Sequence, residues 1–189
     1  INLATGTAQS TQTGTDRVLN IQTIVAGTGA DSITGSDAAN LIDAGSGNNS
    51  IDGGAGDDTL LAGAGDDLLI GGAGNDSIDA GAGDDTVLAG SGNDSISAGS
   101  GSDSVDAGVG NDVIDGGTGN DTITISSLTS GDSIDGGEGT DSLTIGTISS
   151  DSTPSGIANV ESLNVTTIGG GSTSITVDLT KVSTITGLT

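Results

Sequence analysis

An acidic residue returns every nine positions through the middle of this chain, always in the same company. From Ala26 to Thr124 the 99 residues divide without a gap into eleven nine-residue units, such as GGAGDDTLL (Gly53 to Leu61), AGAGDDLLI (Ala62 to Ile70) and GGAGNDSID (Gly71 to Asp79). Position six is Asp in nine of the eleven: Asp31, Asp58, Asp67, Asp76, Asp85, Asp94, Asp103, Asp112 and Asp121. Asn40 and Asn49 fill the other two. Positions two and four are Gly in ten of the eleven, and glycine lets backbone carbonyls approach a bound ion closely. Carboxylates and carbonyls on a flexible loop are hard oxygen ligands, which favour Ca²⁺, whereas Mg²⁺ demands tighter octahedral geometry. Zinc calls for Cys or His, and the chain has neither.

Something must hold these acids in line. Position eight is always Ile, Leu or Val, from Ile33 and Ile42 through Leu60, Leu69, Ile78 and Val87 to Ile123. Each unit therefore predicts a six-residue glycine turn followed by a three-residue strand with one inward apolar side chain. Such a strand buries nothing alone. Two units per coil, with parallel strands stacked about 4.8 Å apart, give two facing apolar ladders. The same stacking sets each position-six aspartate above its equivalent two units along. Two carboxylates about 5 Å apart repel by roughly 1 kcal/mol even in water, and by several-fold more near a protein surface. Repeated along both edges, this repulsion predicts a divalent ion between the loops. Beyond Thr124 a two-residue slip at Ile125 and Ser126 interrupts the phase. The units SLTSGDSID and GGEGTDSLT then carry Asp132 and Asp141 and extend the array to Thr144.

Other chemistries fit poorly. Position-five acids such as Asp57, Asp66 and Asp84, and position-nine acids such as Asp52, Asp79, Asp106 and Asp115, read as outward surface charge. Position eight is core, with no cofactor role. No G-x-x-x-x-G-K-[ST] phosphate loop and no twelve-residue EF-hand loop ending in Glu is present. Paired carboxylates could suggest glycoside hydrolysis, but these pairs recur at every turn and imply no cleft. Without His, Cys or aromatics, the expectation is that this is not an enzyme. The 26 acids include only two glutamates, Glu138 and Glu161, against two bases, Arg17 and Lys181, for a net charge of -24. Nucleic acid is an improbable partner for such a chain, and no run of about 18 apolar residues could span a bilayer. The first residue is Ile, which fits a processed chain or one excised from something longer.

The repeat resembles the glycine-rich nonapeptide of RTX (repeats-in-toxin) secreted proteins, over about two thirds of the chain. The resemblance implies an all-β fold, a right-handed parallel β-roll (a β-solenoid) with several Ca²⁺ ions between loops n and n+2. It pairs Asp58 with Asp76, Asp76 with Asp94, and Asp94 with Asp112 on one edge. On the other it pairs Asp67 with Asp85, Asp85 with Asp103, and Asp103 with Asp121. Departures weaken the end sites at Asp31, Asn40, Asn49, Asp132 and Asp141: Asn40 and Asn49 are neutral, Ala38 replaces a loop glycine, and the slip at Ile125 is expected to disturb Asp132 and Asp141.

Three regions follow. Residues 1–25, with RVLNIQTIVAG, read as a β entry segment that caps the roll. Residues 26–144 form the calcium roll. Residues 145–189 are Thr-rich and read as wider metal-free coils that continue or cap the solenoid, following the short β segment at Leu143 to Ile145 with further ones at Glu161 to Thr167 and Ser174 to Leu179. The acidic roll followed by NVESLNVTT also resembles the C-terminal regions of bacterial calcium-dependent surface-layer proteins. That likeness implies a structural module of a secreted or cell-surface protein, self-associating into a higher-order assembly. The rival expectations are the export-and-folding tail of a type I secreted enzyme or toxin, and an adhesin or ice-binding spacer.

Overall fold

The computed structural model describes residues 22–148 and 156–168, and places strands at Thr7–Gln9, Thr15–Arg17 and Thr184–Thr186. Two parallel sheets face one another, and successive units alternate between them. The first wall runs from Ser32–Ser36 through Ser50–Ala55, Leu68–Ala73, Thr86–Ser91 and Ser104–Asp106 to Thr122–Leu128, Ser142–Ile148, Ser162–Ile168 and Thr184–Thr186. The second runs from Thr23–Thr28 through Leu41–Ser46, Thr59–Ala64, Ser77–Ala82, Ser95–Ser97 and Val113–Asp115 to Ser133–Asp135 and Gly156–Ala158. The described residues thus form the parallel β-solenoid that the repeat predicts. Thr7–Gln9 pairs antiparallel with Thr15–Arg17 in a ladder of its own. The capping role expected of residues 1–25 rests largely on residues outside those described, as does the segment Ser174 to Leu179.

Register follows the repeat. Ile33 aligns with Ile51, Ile51 with Leu69, Leu69 with Val87, Val87 with Val105, and Val105 with Ile123. Opposite them, Ile24, Ile42, Leu60, Ile78, Ile96 and Ile114 form the facing ladder, and all of these side chains are buried. Burial of each stabilises by about 1.5–3 kcal/mol, and β-branched shapes suit the pleated wall. The coils then widen. Ile123 pairs with Leu143, Leu143 with Leu163, and Ile114 with Ile134 across 20 residues rather than 18.

The strands correct one expectation. Through the first half of the roll they are five or six residues long, as in Ser32–Ser36, Ser50–Ala55 and Ser77–Ala82, because each continues into the next unit. Side chains alternate along a strand, so positions six, eight and one all point inward. Position one is thereby a second buried ladder. On the second wall Ala44, Ala62, Ala80 and Ala98 lie inside, followed by Gly116 and Gly136. On the first wall Gly35, Gly53 and Gly71 give way to Ala89 and Ala107, and then to Ile125, Ile145 and Val165. Bulk therefore moves from one wall to the other along the roll, and the two-sided core stays filled.

Position four shows why glycine is fixed in the turns. Gly92 has φ +137°, and a methyl group there would collide with the carbonyl oxygen of Gly74 in the coil before. Gly27, at the start of the roll, meets nothing within 4 Å and has no such φ. Left-handed backbone costs an L-residue about 1–2 kcal/mol, and overpacking adds about 1–3 kcal/mol. Gly92→Ala is therefore expected to destabilise the folded roll by about 3 kcal/mol, and Gly27→Ala by much less. Urea melts of both variants in saturating calcium check this, and equal losses would refute it.

Candidate metal sites

The position-six residues sit on the two edges, one residue before each strand, facing inward. Asn40, Asn49, Asp58, Asp67, Asp76, Asp85, Asp94, Asp103, Asp112, Asp121, Asp132 and Asp141 are all at most 4% exposed, which is rare for acids. Asp31, at the start of the array, is only half-buried.

One bond repeats along each row. The backbone N–H of each residue donates to the Oδ1 of the acid one coil ahead. Asp58 N–H reaches Asp76 at 2.8 Å, Asp76 reaches Asp94 at 2.8 Å, and Asp94 reaches Asp112 at 2.9 Å. On the other edge Asp67 N–H reaches Asp85 at 2.7 Å, Asp85 reaches Asp103 at 2.8 Å, and Asp103 reaches Asp121 at 2.8 Å. The slip at Ile125 leaves this N–H ladder in place, although beyond it Asp132 also accepts from Thr129 N–H at 2.6 Å through its Oδ2. Asp112 N–H donates to Asp132 at 2.7 Å and Asp121 N–H to Asp141 at 2.9 Å. The reason is local: the first wall lengthens to Thr122–Leu128, Ile125 and Leu128 enter the core, and both rows resume 20 residues on.

The second oxygen is the notable one. Oδ2 of Asp58, Asp67, Asp76, Asp85, Asp94, Asp103, Asp112, Asp121 and Asp141 is buried without a hydrogen-bond partner, although buried polar atoms are normally satisfied. Some of its surroundings are visible at the position-one glycines. A methyl group on Gly53 would lie 2.5 Å from Asp58 Oδ2 and 2.7 Å from the Gly71 carbonyl oxygen. One on Gly71 would lie 2.6 Å from Asp76 Oδ2 and 2.5 Å from the Ala89 carbonyl oxygen. A bare carboxylate oxygen and a carbonyl of the next coil thus front the same gap. Asn49 meets the same neighbour differently: its Nδ2 donates to the Ala62 carbonyl at 3.4 Å, while its Oδ1 accepts from Asp31 N–H at 3.0 Å. Asn40 Oδ1 turns to Ser36 N–H at 2.7 Å.

Burial raises the carboxyl pKa values along both rows. Asp58, Asp103 and Asp112 are pushed up to about 6, first by loss of water and further by neighbouring acids, against the pull of the donating N–H. Asp67, Asp76, Asp85, Asp94, Asp121 and Asp141 are also raised, again chiefly by burial. An oxygen that is costly to leave charged and has no donor fits a cation. The donor set is all oxygen, as Ca²⁺ prefers. Among the described residues, no group of three acidic side chains could hold an ion between them. A cation here would take carboxylate from one or two coils, with carbonyls or water completing its shell.

The family model of the RTX calcium-binding nonapeptide repeat (4 copies) matches residues 21–51, 52–87, 61–96, 88–123 and 124–146. This chain belongs to the RTX repeat family. Its nonads are accordingly calcium-binding motifs, and the roll they build is a structural calcium-binding fold. No curated protein and no solved structure matches the chain.

Two features of this RTX roll escape a reading of its sequence. Position five is exposed, as expected, yet it is not idle. Asp57 Oδ1 accepts from Asn75 N–H at 2.8 Å, Asp66 Oδ1 from Asp84 N–H at 3.0 Å, and Asn75 Oδ1 from Asn93 N–H at 2.8 Å. These bonds run opposite to those of position six, so adjacent coils are pinned in both directions. The second feature is Glu161, whose Oε2 accepts from Asp141 N–H at 2.7 Å. The signal was available: Glu161 stands 20 residues after Asp141, the spacing of the widened coils.

Proposed function

We propose that this chain is a calcium-dependent structural module of a secreted or cell-surface bacterial protein, a component of an extracellular assembly of the surface-layer type. The observation that carries this is the pair of buried carboxylate rows, in which each acid from Asp58 to Asp121 has one oxygen bound to the neighbouring coil and one without a partner. In this reading Asp58 through Asp121 hold Ca²⁺ from coil to coil along residues 26–144. Asp31, Asn40, Asn49, Asp132 and Asp141 flank them as end positions. The ion supplies the divalent charge that lets stacked acids approach, and the protein supplies the spacing. Residues 145–189 continue the solenoid beyond the nonapeptide repeats, and residues 1–25 cover its first coil. The product of this chemistry is a rigid rod, not a reaction. No helix of the described residues is long and apolar enough to cross a membrane, and a type I export route suits a repeat whose folding waits for external calcium.

Exposed acids outside the rows support the assembly. Asp57, Asp66, Asp84, Asp79, Asp106 and Asp115 all face solvent, where Ca²⁺ can bridge neighbouring copies. Light scattering and electron microscopy across a calcium titration test this. Ordered sheets or filaments that form in millimolar Ca²⁺ and dissolve in chelator are expected. A monomer persisting at high concentration in saturating calcium would remove the assembly reading and favour an export-and-folding tail.

A further inference from the structure

The two carboxylate rows end differently. On the edge of Asp112 the last acid is fully engaged: Asp132 Oδ1 accepts from Asp112 N–H and its Oδ2 accepts from Thr129 N–H at 2.6 Å. On the edge of Asp121 the last repeat acid, Asp141, is 1% exposed, and its Oδ2 has no partner. Asp141 N–H nevertheless donates to Glu161 Oε2 at 2.7 Å, the bond that every acid in the row gives to the next. Glu161 therefore occupies the following place in the row, although the repeat matches stop at residue 146.

The turn before Glu161 completes the arrangement. Asn159 has φ +52°, alone among the described non-glycine residues, and its Nδ2 donates to Asp135 Oδ1 at 2.6 Å. A methyl group on Gly136 would collide with the Asn159 carbonyl oxygen and lie 3.0 Å from Asp141 Oδ2. A carbonyl and an unpartnered carboxylate oxygen again front one gap, as they do at Gly53 and Gly71. We propose that one cation row runs a coil past the nonapeptide repeats, and that Glu161 supplies its last carboxylate, with Asp141 and the Asn159 carbonyl, to a further Ca²⁺ site. This rests on the calcium reading of the repeat rows, and it gives the roll unequal numbers of sites on its two edges.

Equilibrium dialysis of the full chain against radioactive calcium counts the ions. Glu161→Gln keeps an oxygen for Asp141 N–H and deletes the charge, so it is expected to fold and to bind one ion fewer per chain. Asp37→Asn, which removes the same charge from an exposed turn, is expected to keep the full count. Hydrogen exchange is expected to show calcium-dependent protection of residues 156–168 lost in Glu161→Gln, with residues 58–121 unchanged. An unaltered count in Glu161→Gln overturns the proposal. Should that variant not fold, Glu161→Asp takes its place, and an unchanged half-saturation for the last ion overturns the proposal equally. An unmodified chain that binds no calcium at all would instead overturn the proposed function.

Discussion

Withdrawing calcium at pH 7 is expected to abolish most of the β structure of residues 26–144. Nine buried aspartates each carry an Oδ2 without a partner. An unsatisfied buried polar group costs about 1–3 kcal/mol, and a charged one more, so nine amount to roughly 10–30 kcal/mol. A folded domain has only about 5–15 kcal/mol in hand, and this core is thin, with no aromatic side chain. Without a cation the deficit decides the outcome, since metal affinity becomes folding free energy when the site does not exist in the unfolded chain. Far-UV circular dichroism in chelator and in millimolar Ca²⁺ makes the comparison, with Mg²⁺ expected to rescue little. The same β content in chelator and in calcium would defeat this account.

Acid is expected to act oppositely on the metal-free and the calcium-loaded chain. In the metal-free fold nine row aspartates have pKa values above the ordinary 3.8, reaching about 6 for Asp58, Asp103 and Asp112. The folded state then binds more protons than the unfolded one between about pH 4 and 6, so its stability falls as pH rises through that window. Lowering the pH of a chelated sample from 7 toward 4 should therefore restore β structure, with protons standing where the cations would. In saturating calcium the sign reverses, because the same protons compete with the ion for the carboxylates. A pH series of circular dichroism spectra with and without chelator tests both halves, with light scattering to exclude precipitation. A chelated chain whose β signal stays flat or falls on acidification would contradict it.

Much of this was legible in the sequence because a nine-residue repeat states its own geometry. The buried rows, the apolar ladders of position eight and the 18-residue register all follow from spacing. Position one was not legible. Gly and Ala there look like turn residues, and only strand alternation, extended across the unit boundary, puts Ala62 and Ala80 inside with Leu60 and Ile78. How the stack absorbs the slip at Ile125 was not legible, because counting by nine treats two extra residues as an error. A solenoid measures instead whether the next coil closes, and Ile125 and Leu128 close it with apolar burial. The role of position five was hidden because an exposed Asp or Asn reads the same whether it accepts a neighbour's N–H or only water. Glu161 lay outside the repeat and differed in side-chain length, so composition alone could not enlist it.

Among the described residues, the bonds that join coils run between neighbours, which makes the molecule a mechanical element. Tension along the roll axis has no long-range contact to break, so it acts on the end coil alone. Each 18-residue coil adds about 4.8 Å to the length of the stack but holds roughly 60 Å of extended chain. A pulled roll therefore yields in discrete steps, one coil after another, each lengthening the tether about tenfold over what that coil contributed. On the calcium reading proposed above, ions between coils set the force at which each step occurs. Calcium, on that same reading, tunes the stiffness of the roll coil by coil.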